Sequence, residues 1–90
     1  REAVIQAAFN ALTAARNTLK EGERIVQILS LTVYLNASPD YTTHAKVGDI
    51  ASNWLYEQLG EAGVGPRAAI GVATLPGNAP VEIQLVAAAG

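Results

Sequence analysis

The fold is decided by the last third of the chain, Arg67-Ala-Ala-Ile-Gly-Val-Ala-Thr-Leu-Pro-Gly-Asn-Ala-Pro-Val-Glu-Ile-Gln-Leu-Val-Ala-Ala-Ala-Gly90. Apolar and β-branched residues flank the turn signal Pro-Gly-Asn-Ala-Pro, which predicts two strands joined as a hairpin. With no bulge in that hairpin, Arg67 and Glu82 share a face with Ala69 and Gly71. The two charged residues then lie about 20 Å apart along the strands. We therefore expect them to meet only between two copies of the chain.

The two faces of the predicted hairpin differ in the size of their side chains. One face carries bulky apolar residues, among them Ile70, Val72, Ile83 and Leu85, and is expected to pack against helices. The face with Arg67 carries small and polar residues. Small residues on a strand let a ligand or another backbone approach closely, so this second face is a candidate binding surface.

Upstream of this stretch the sequence predicts a helix, a strand and a second helix. Apolar residues recur at helical spacing over 2–20 and 42–59, and β-branched residues mark a strand over 25–36. Strict alternation in that strand places Leu29 against the helices and Ile28 on the opposite side. The order α-β-α-β-β predicts an α+β two-layer sandwich, with one sheet and two helices on one of its faces.

The composition narrows the class of protein. The 90 residues suffice for a single domain over 1–90, and a core of this size gains from oligomerisation. The net charge of −2 and the lack of a basic patch disfavour nucleic acid as a partner. The chain has no cysteine, which fits a cytoplasmic location, and no apolar run of the roughly 18 residues that a membrane span needs. Arg1 opens the chain within a helical pattern, so we expect further residues upstream.

The other chemistry-bearing residues fit structural roles. His44 has no metal-ligand type at helical spacing, since Asp49 lies five positions on, and the pattern predicts neither a metal site nor a catalytic role for it. Ser38 and Asp40 are typical of a turn. Trp54 falls on the apolar stripe of the second helix and is expected in the core or a subunit interface. No phosphate-binding glycine loop is present, and neither a metal nor a cofactor is predicted.

Four segments of the sequence resemble motifs of the YjgF/RidA family. The segment Gly65-Pro-Arg-Ala-Ala-Ile-Gly-Val-Ala-Thr-Leu-Pro76, followed by Ala79-Pro-Val-Glu-Ile83, is similar to the family's C-terminal signature. In that signature an arginine opens a strand, Leu-Pro ends it, and the final strand begins with Val-Glu-Ile. The Val-Tyr-Leu-Asn strand and the Pro-Asp-Tyr entry to the second helix resemble the family too. The resemblance runs through nearly the whole chain and implies a chorismate-mutase-like fold, usually a homotrimer with clefts between subunits.

The resemblance also implies an activity, the hydrolysis of reactive 2-aminoacrylate-type enamines and imines to 2-keto acids with release of ammonia. Arg67 matches the arginine that binds the substrate carboxylate, and Ala69 and Gly71 follow it along the substrate-binding strand. Glu82 matches the carboxylate that positions the hydrolytic water, which is an acid–base role.

Some positions differ from the family pattern. Ala69 stands where deaminating members often carry cysteine, the family asparagine near the second helix has no clear counterpart, and the family's N-terminal hairpin would precede Arg1. These differences favour an alternative function, a non-catalytic binding protein for small carboxylates such as keto acids or amino acids. A third function, the ribonuclease of older family labels, is disfavoured by the acidic balance and the single histidine.

Overall fold

The computed structural model describes residues 2–37 and 40–90. Its helices and strands are α1 (Glu2–Arg16), β1 (Ile25–Asn36), α2 (His44–Leu59), β2 (Arg67–Val72) and β3 (Val81–Ala89), with short 3-10 turns at Gly60–Gly63 and Pro76–Asn78. The predicted order α-β-α-β-β and the α+β class are confirmed. The predictions at Arg1 and Ser38 lie outside the described residues.

Each helix buries one apolar stripe, as its periodicity predicts. The fully buried positions of α1 recur every four residues, at Val4, Ala8 and Leu12. Trp54 of α2 is partly buried against the core, and its ring meets Phe9 of α1 edge to face at 6.4 Å between centroids. Gly60 ends α2, as the sequence predicts, and does so with a positive φ of 64°, which favours glycine.

The central strand of the sheet is β1, which corrects the predicted hairpin. β2 pairs with β1 in parallel and β3 pairs with it antiparallel, so β2 and β3 lie on opposite sides of β1. The turn segment crosses the end of β1, where the Asn36 N–H donates to the Pro80 carbonyl at 3.0 Å. The Asn36 side-chain amide also donates to Asn78 Oδ1 and to the Ala79 carbonyl, both at 3.3 Å. The hairpin prediction is wrong because β1, an apolar strand, is paired along both of its edges.

Two register irregularities in β1 reverse a second prediction. The pairing with β3 shifts twice, and one shift falls between Ile28 and Ser30. As a result, Ile28 is only 1% exposed while Leu29 is 50% exposed, the reverse of what strict alternation predicts. Alternation returns at Leu31, and the buried residues from there on are Leu31, Val33 and Leu35.

Both helices pack on one face of the sheet and leave the other face open. The core lies between the layers, and Ile83 and Leu85 of β3 pack against it as predicted. No described helix covers the opposite face, where Ile70 and Val86 are 43% and 47% exposed. Over residues 2–37 and 40–90, neither helix has the length and apolar character needed to cross a bilayer.

Candidate functional site

The three predicted substrate-binding residues of β2 point toward α2. Arg67, Ala69 and Gly71 are in register with Leu31, Val33 and Leu35 of β1, which are buried beneath the helices. The prediction that the face carrying Ile70 packs on the helices is therefore wrong for β2. Instead, small side chains of β2 lie against α2. We name this boundary the α2–β2 seam, and its residues are Arg67, Ala69 and Gly71 with His44, Gly48 and Ser52.

Glu82 lies on the opposite, open face of the sheet. It is in register with Tyr34, which in turn is in register with Ile70 on the far side. From Arg67, Glu82 is two strands and three residues away, or about 14 Å between Cα atoms at ordinary strand spacings. The prediction that Arg67 and Glu82 share a face is wrong, because they are in register with Leu31 and Tyr34, which lie three residues apart on β1 and so face opposite sides of the sheet. Within one chain they cannot touch the same small molecule.

The guanidinium of Arg67 lies across α2 and is held there by polar contacts. Its Nη1 donates to Asp49 Oδ1 at 2.6 Å and to Ser52 Oγ at 3.5 Å. The Arg67 side chain is 23% exposed and that of Asp49 is 62% exposed. Both contacts use Nη1, whereas Nε and Nη2 carry three further N–H donors in the fork that binds carboxylates. The arrangement can therefore present a fixed, partly buried cation to a carboxylate ligand.

Gly48 is the position on α2 that makes room for this guanidinium. It is buried, and a β carbon at Gly48 would lie 3.0 Å from Arg67 Cζ and 3.1 Å from Nε. In the middle of a helix, glycine is less favourable than alanine by about 1 kcal/mol. Here the missing side chain has a structural use, because it lets Arg67 lie flat against the helix.

His44 begins α2 and lies over Gly71 at the other end of the seam. A β carbon at Gly71 would stand only 2.5 Å from His44 Nε2, so the ring occupies the space that a side chain would need. The Tyr41 ring contacts the imidazole edge to face, with centroids 5.0 Å apart. His44 also lines an open cleft of about 680 Å³, formed by Asn36, Ala37, Tyr41, His44, Gly71, Val72 and Ala73.

The sequence prediction missed His44, Gly48 and Ser52, although their spacing carried a signal. The three residues recur every four positions, which places them on one face of α2, and that face meets β2. Over the described ranges, no three His, Asp or Glu side chains cluster closely enough to hold a metal ion. The candidate site has a cation at one end of the seam, Arg67, and an imidazole at the other, His44.

Comparison with known proteins adds independent information. No family model matches the chain. Protein TCP17 of Trypanosoma cruzi is 32% identical over 78 residues, which cover 86% of this chain and 49% of that protein. The solved structures that share the fold include two that are at least 30% identical to this chain. Atu1372 of Agrobacterium tumefaciens, whose function is unknown, matches with a TM-score of 0.81 and 33% identity. The match covers 93% of this chain and 54% of the Atu1372 chain.

The second structure is a candidate endoribonuclease from Shewanella oneidensis MR-1, with a TM-score of 0.84 and 30% identity. The match covers 93% of this chain and 56% of that one. The chain therefore spans about half the length of the relatives it matches.

Proposed function

Since this chain belongs to the YjgF/RidA family, we propose that it hydrolyses reactive 2-aminoacrylate-type enamines and imines to 2-keto acids and ammonia. The observation that supports this function is the position of Arg67, whose guanidinium is partly buried and fixed across α2. Its planar fork suits bidentate binding of a carboxylate, which such substrates carry beside the reacting carbon. The small side chain of Ala69 leaves space along the same seam for the rest of a small substrate, which would extend toward Gly71 and the His44 ring that lies over it. We propose a cytoplasmic location on the absence of cysteine.

Glu82 takes part from a neighbouring copy of the chain in this proposal. Its distance from Arg67 and its place on the opposite face rule out a shared ligand within one chain. The open sheet face around it exposes apolar Ile70 and Val86, which supports a homo-oligomer, in this family usually a trimer. In the cleft between copies, Glu82 accepts a proton from water as the water oxygen bonds to the C=N carbon. Glu82 returns this proton to the nitrogen, and the new hydroxyl gives up its own proton to the nitrogen as the C–N bond breaks, so that ammonia leaves and the carbonyl of the 2-keto acid remains.

The test is ammonia release by Arg67→Ala, with Arg67→Lys as a matched variant that keeps the charge and loses the fork. We expect Arg67→Ala to lower kcat/KM by about 100-fold or more, since hydrogen bonds to charged groups contribute about 1.5–3 kcal/mol each. The kcat/KM of Arg67→Lys should lie between that of the wild type and that of Arg67→Ala. Because Asp49 is 62% exposed, losing its ion pair should lower the free energy of unfolding by at most about 1 kcal/mol. Wild-type turnover in Arg67→Ala would refute the assignment.

A second candidate function is binding of the same carboxylates without chemistry. Two observations favour it: Ala69 supplies only a methyl group beside Arg67, and Asp49 already pairs with the guanidinium. Calorimetric titration with a 2-keto acid such as pyruvate, run beside the ammonia assay, separates the two functions. Saturable heat that depends on Arg67, without ammonia release from imine substrates, would favour the binding protein.

RNA cleavage is the third candidate, raised by the Shewanella relative. The net charge of −2 and the single histidine give this chain little with which to bind phosphates. An RNA-cleavage assay, with Arg67→Ala as its control, tests this function directly. Cleavage that disappears in the variant would support it over deamination.

A further inference from the structure

The cleft at the ends of β1 and β2 differs in chemistry from the Arg67 end of the seam. None of the seven described residues that line it is aspartate, glutamate, lysine or arginine. Its polar side chains are Asn36, Tyr41 and His44, and the remaining lining residues are small or aliphatic. Its volume of about 680 Å³ falls in the range of small-molecule sites. We name it the strand-end cleft.

The polar groups of the strand-end cleft are held in place by their neighbours. His44 is confined between the backbone of Gly71 and the ring of Tyr41. The Asn36 side chain is fixed by the bonds that its Nδ2 donates to Asn78 and Ala79, and neither bond uses its Oδ1 acceptor. A site whose polar groups are fixed before binding loses less entropy when a ligand arrives.

We infer that the strand-end cleft is a second binding site, and that it takes a small, neutral, planar molecule carrying a carboxamide or an equivalent donor–acceptor pair. An imidazole in its neutral form offers one donor and one acceptor, and the Asn36 Oδ1, which neither of the two bonds from Nδ2 uses, offers a further acceptor, so together they complement an amide. A carboxylate or phosphate would lose its hydration, and none of the described lining residues is a lysine or arginine that could compensate. This site is separate from the one proposed around Arg67 and does not depend on the deaminase activity.

Nicotinamide and nicotinate make a matched pair of probes, because they share one ring and differ only in amide against carboxylate. The chain has a single histidine, so its imidazole NMR signals report on the strand-end cleft without ambiguity. We expect nicotinamide to shift these signals saturably. Nicotinate should bind at least about tenfold more weakly. No shift with nicotinamide, or equal affinity for nicotinate, would overturn the inference.

Gly71→Ala is the variant that tests the geometry. The new β carbon would stand 2.5 Å from His44 Nε2, so the ring must move, and we expect nicotinamide affinity to fall at least about tenfold. Gln84→Ala, on the opposite face of the sheet, is the control and should bind like the wild type. If circular dichroism shows that Gly71→Ala does not fold, calorimetry on His44→Ala makes the same test. Wild-type affinity in the folded variant would refute the site, whatever the ammonia assay shows.

Discussion

Replacing Gly48 by alanine tests whether the seam is built around Arg67. At a helix position where the added methyl group touches nothing, this change should stabilise α2 by about 0.8–1.0 kcal/mol, since alanine has a higher helix propensity than glycine. At Gly48 the added methyl meets the guanidinium, because the β carbon would lie 3.0 Å from Cζ. That separation is tighter than an ordinary contact, so the Arg67 guanidinium must shift by a few tenths of an ångström.

The opposing term is the ion pair that this movement weakens. Arg67 bonds to Asp49 at 2.6 Å, but the Asp49 side chain is 62% exposed, which limits the pair to at most about 1 kcal/mol. The helix gain and the ion-pair loss are therefore of similar size. We expect Gly48→Ala to change the free energy of unfolding by less than about 0.5 kcal/mol in the wild-type background. In an Arg67→Ala background the obstacle is gone, and the full helix gain of about 1 kcal/mol should appear.

A double-mutant cycle measures this difference. Urea unfolding of the wild type, the two single variants and the double variant, followed by circular dichroism at one protein concentration, gives the coupling between Gly48 and Arg67. We expect a coupling of about 0.5–1 kcal/mol. Equal stabilisation by Gly48→Ala in both backgrounds would show that the guanidinium does not rest on Gly48, and would refute the account of the seam. As a functional check, Gly48→Ala should weaken pyruvate binding.

Two further predictions concern the bulge in β1 and the ion pair between Arg67 and Asp49. Ile28→Ala should lower the free energy of unfolding by about 2–5 kcal/mol, because Ile28 is 1% exposed, whereas Leu29→Ala, at a 50% exposed position, should change it by less than about 1 kcal/mol. Urea unfolding of the two variants checks the bulge in β1. A larger loss of stability in Leu29→Ala than in Ile28→Ala would mean that β1 alternates strictly and has no bulge at this point. Asp49→Asn removes an internal competitor for the guanidinium and should tighten pyruvate binding up to about fivefold by calorimetry. Weaker binding would show that Asp49 serves to hold Arg67 in place.

Local sequence signals were sufficient for the elements but not for strand pairing. Helical periodicity and Gly60 define α2, since both act within a few residues. The turn signal after β2 correctly marks a change of direction, yet the next strand pairs with β1. Which strands become neighbours is decided by burial across the whole sheet. The longest strand, β1, is the central one, and both edge strands, β2 and β3, pair with it. The register shift beside Ile28 escaped prediction for a related reason, because a bulge depends on the partner strand as well as on the bulged one.

For the candidate site as well, relations within one strand were predicted correctly and relations between strands were not. Alternation within β2 correctly grouped Arg67, Ala69 and Gly71 on one face, because that grouping needs no knowledge of the neighbouring strand. The prediction that these residues share a face with Glu82 was wrong, since it depended on how two strands pair. His44 was assigned no role from its own surroundings in sequence. Its position over Gly71 arises from the packing of α2 on β2, which residue spacing alone indicates only through the four-residue repeat.

The opposite faces of Arg67 and Glu82 make a prediction about mixed oligomers. If each cleft takes Arg67 from one copy and Glu82 from the next, then Arg67→Ala and Glu82→Gln damage different halves of it. Each variant alone should be inactive in ammonia release. Co-expression of the two with different affinity tags, followed by purification through both tags, isolates oligomers that contain both kinds of chain.

In oligomers mixed at random, a cleft is intact when its arginine comes from a Glu82→Gln chain and its glutamate from an Arg67→Ala chain. A trimer that carries both tags contains both kinds of chain and has one such cleft among its three, so about one third of the clefts and of the wild-type activity should return. Light scattering on the same samples shows whether the oligomer is present. Mixed oligomers with no activity would mean that Glu82 does not complete a neighbour's cleft. A monomeric wild type with full turnover would remove the need for a neighbour altogether, and the catalytic acid–base group would then have to lie on the α2–β2 seam, on the face where Arg67 is found.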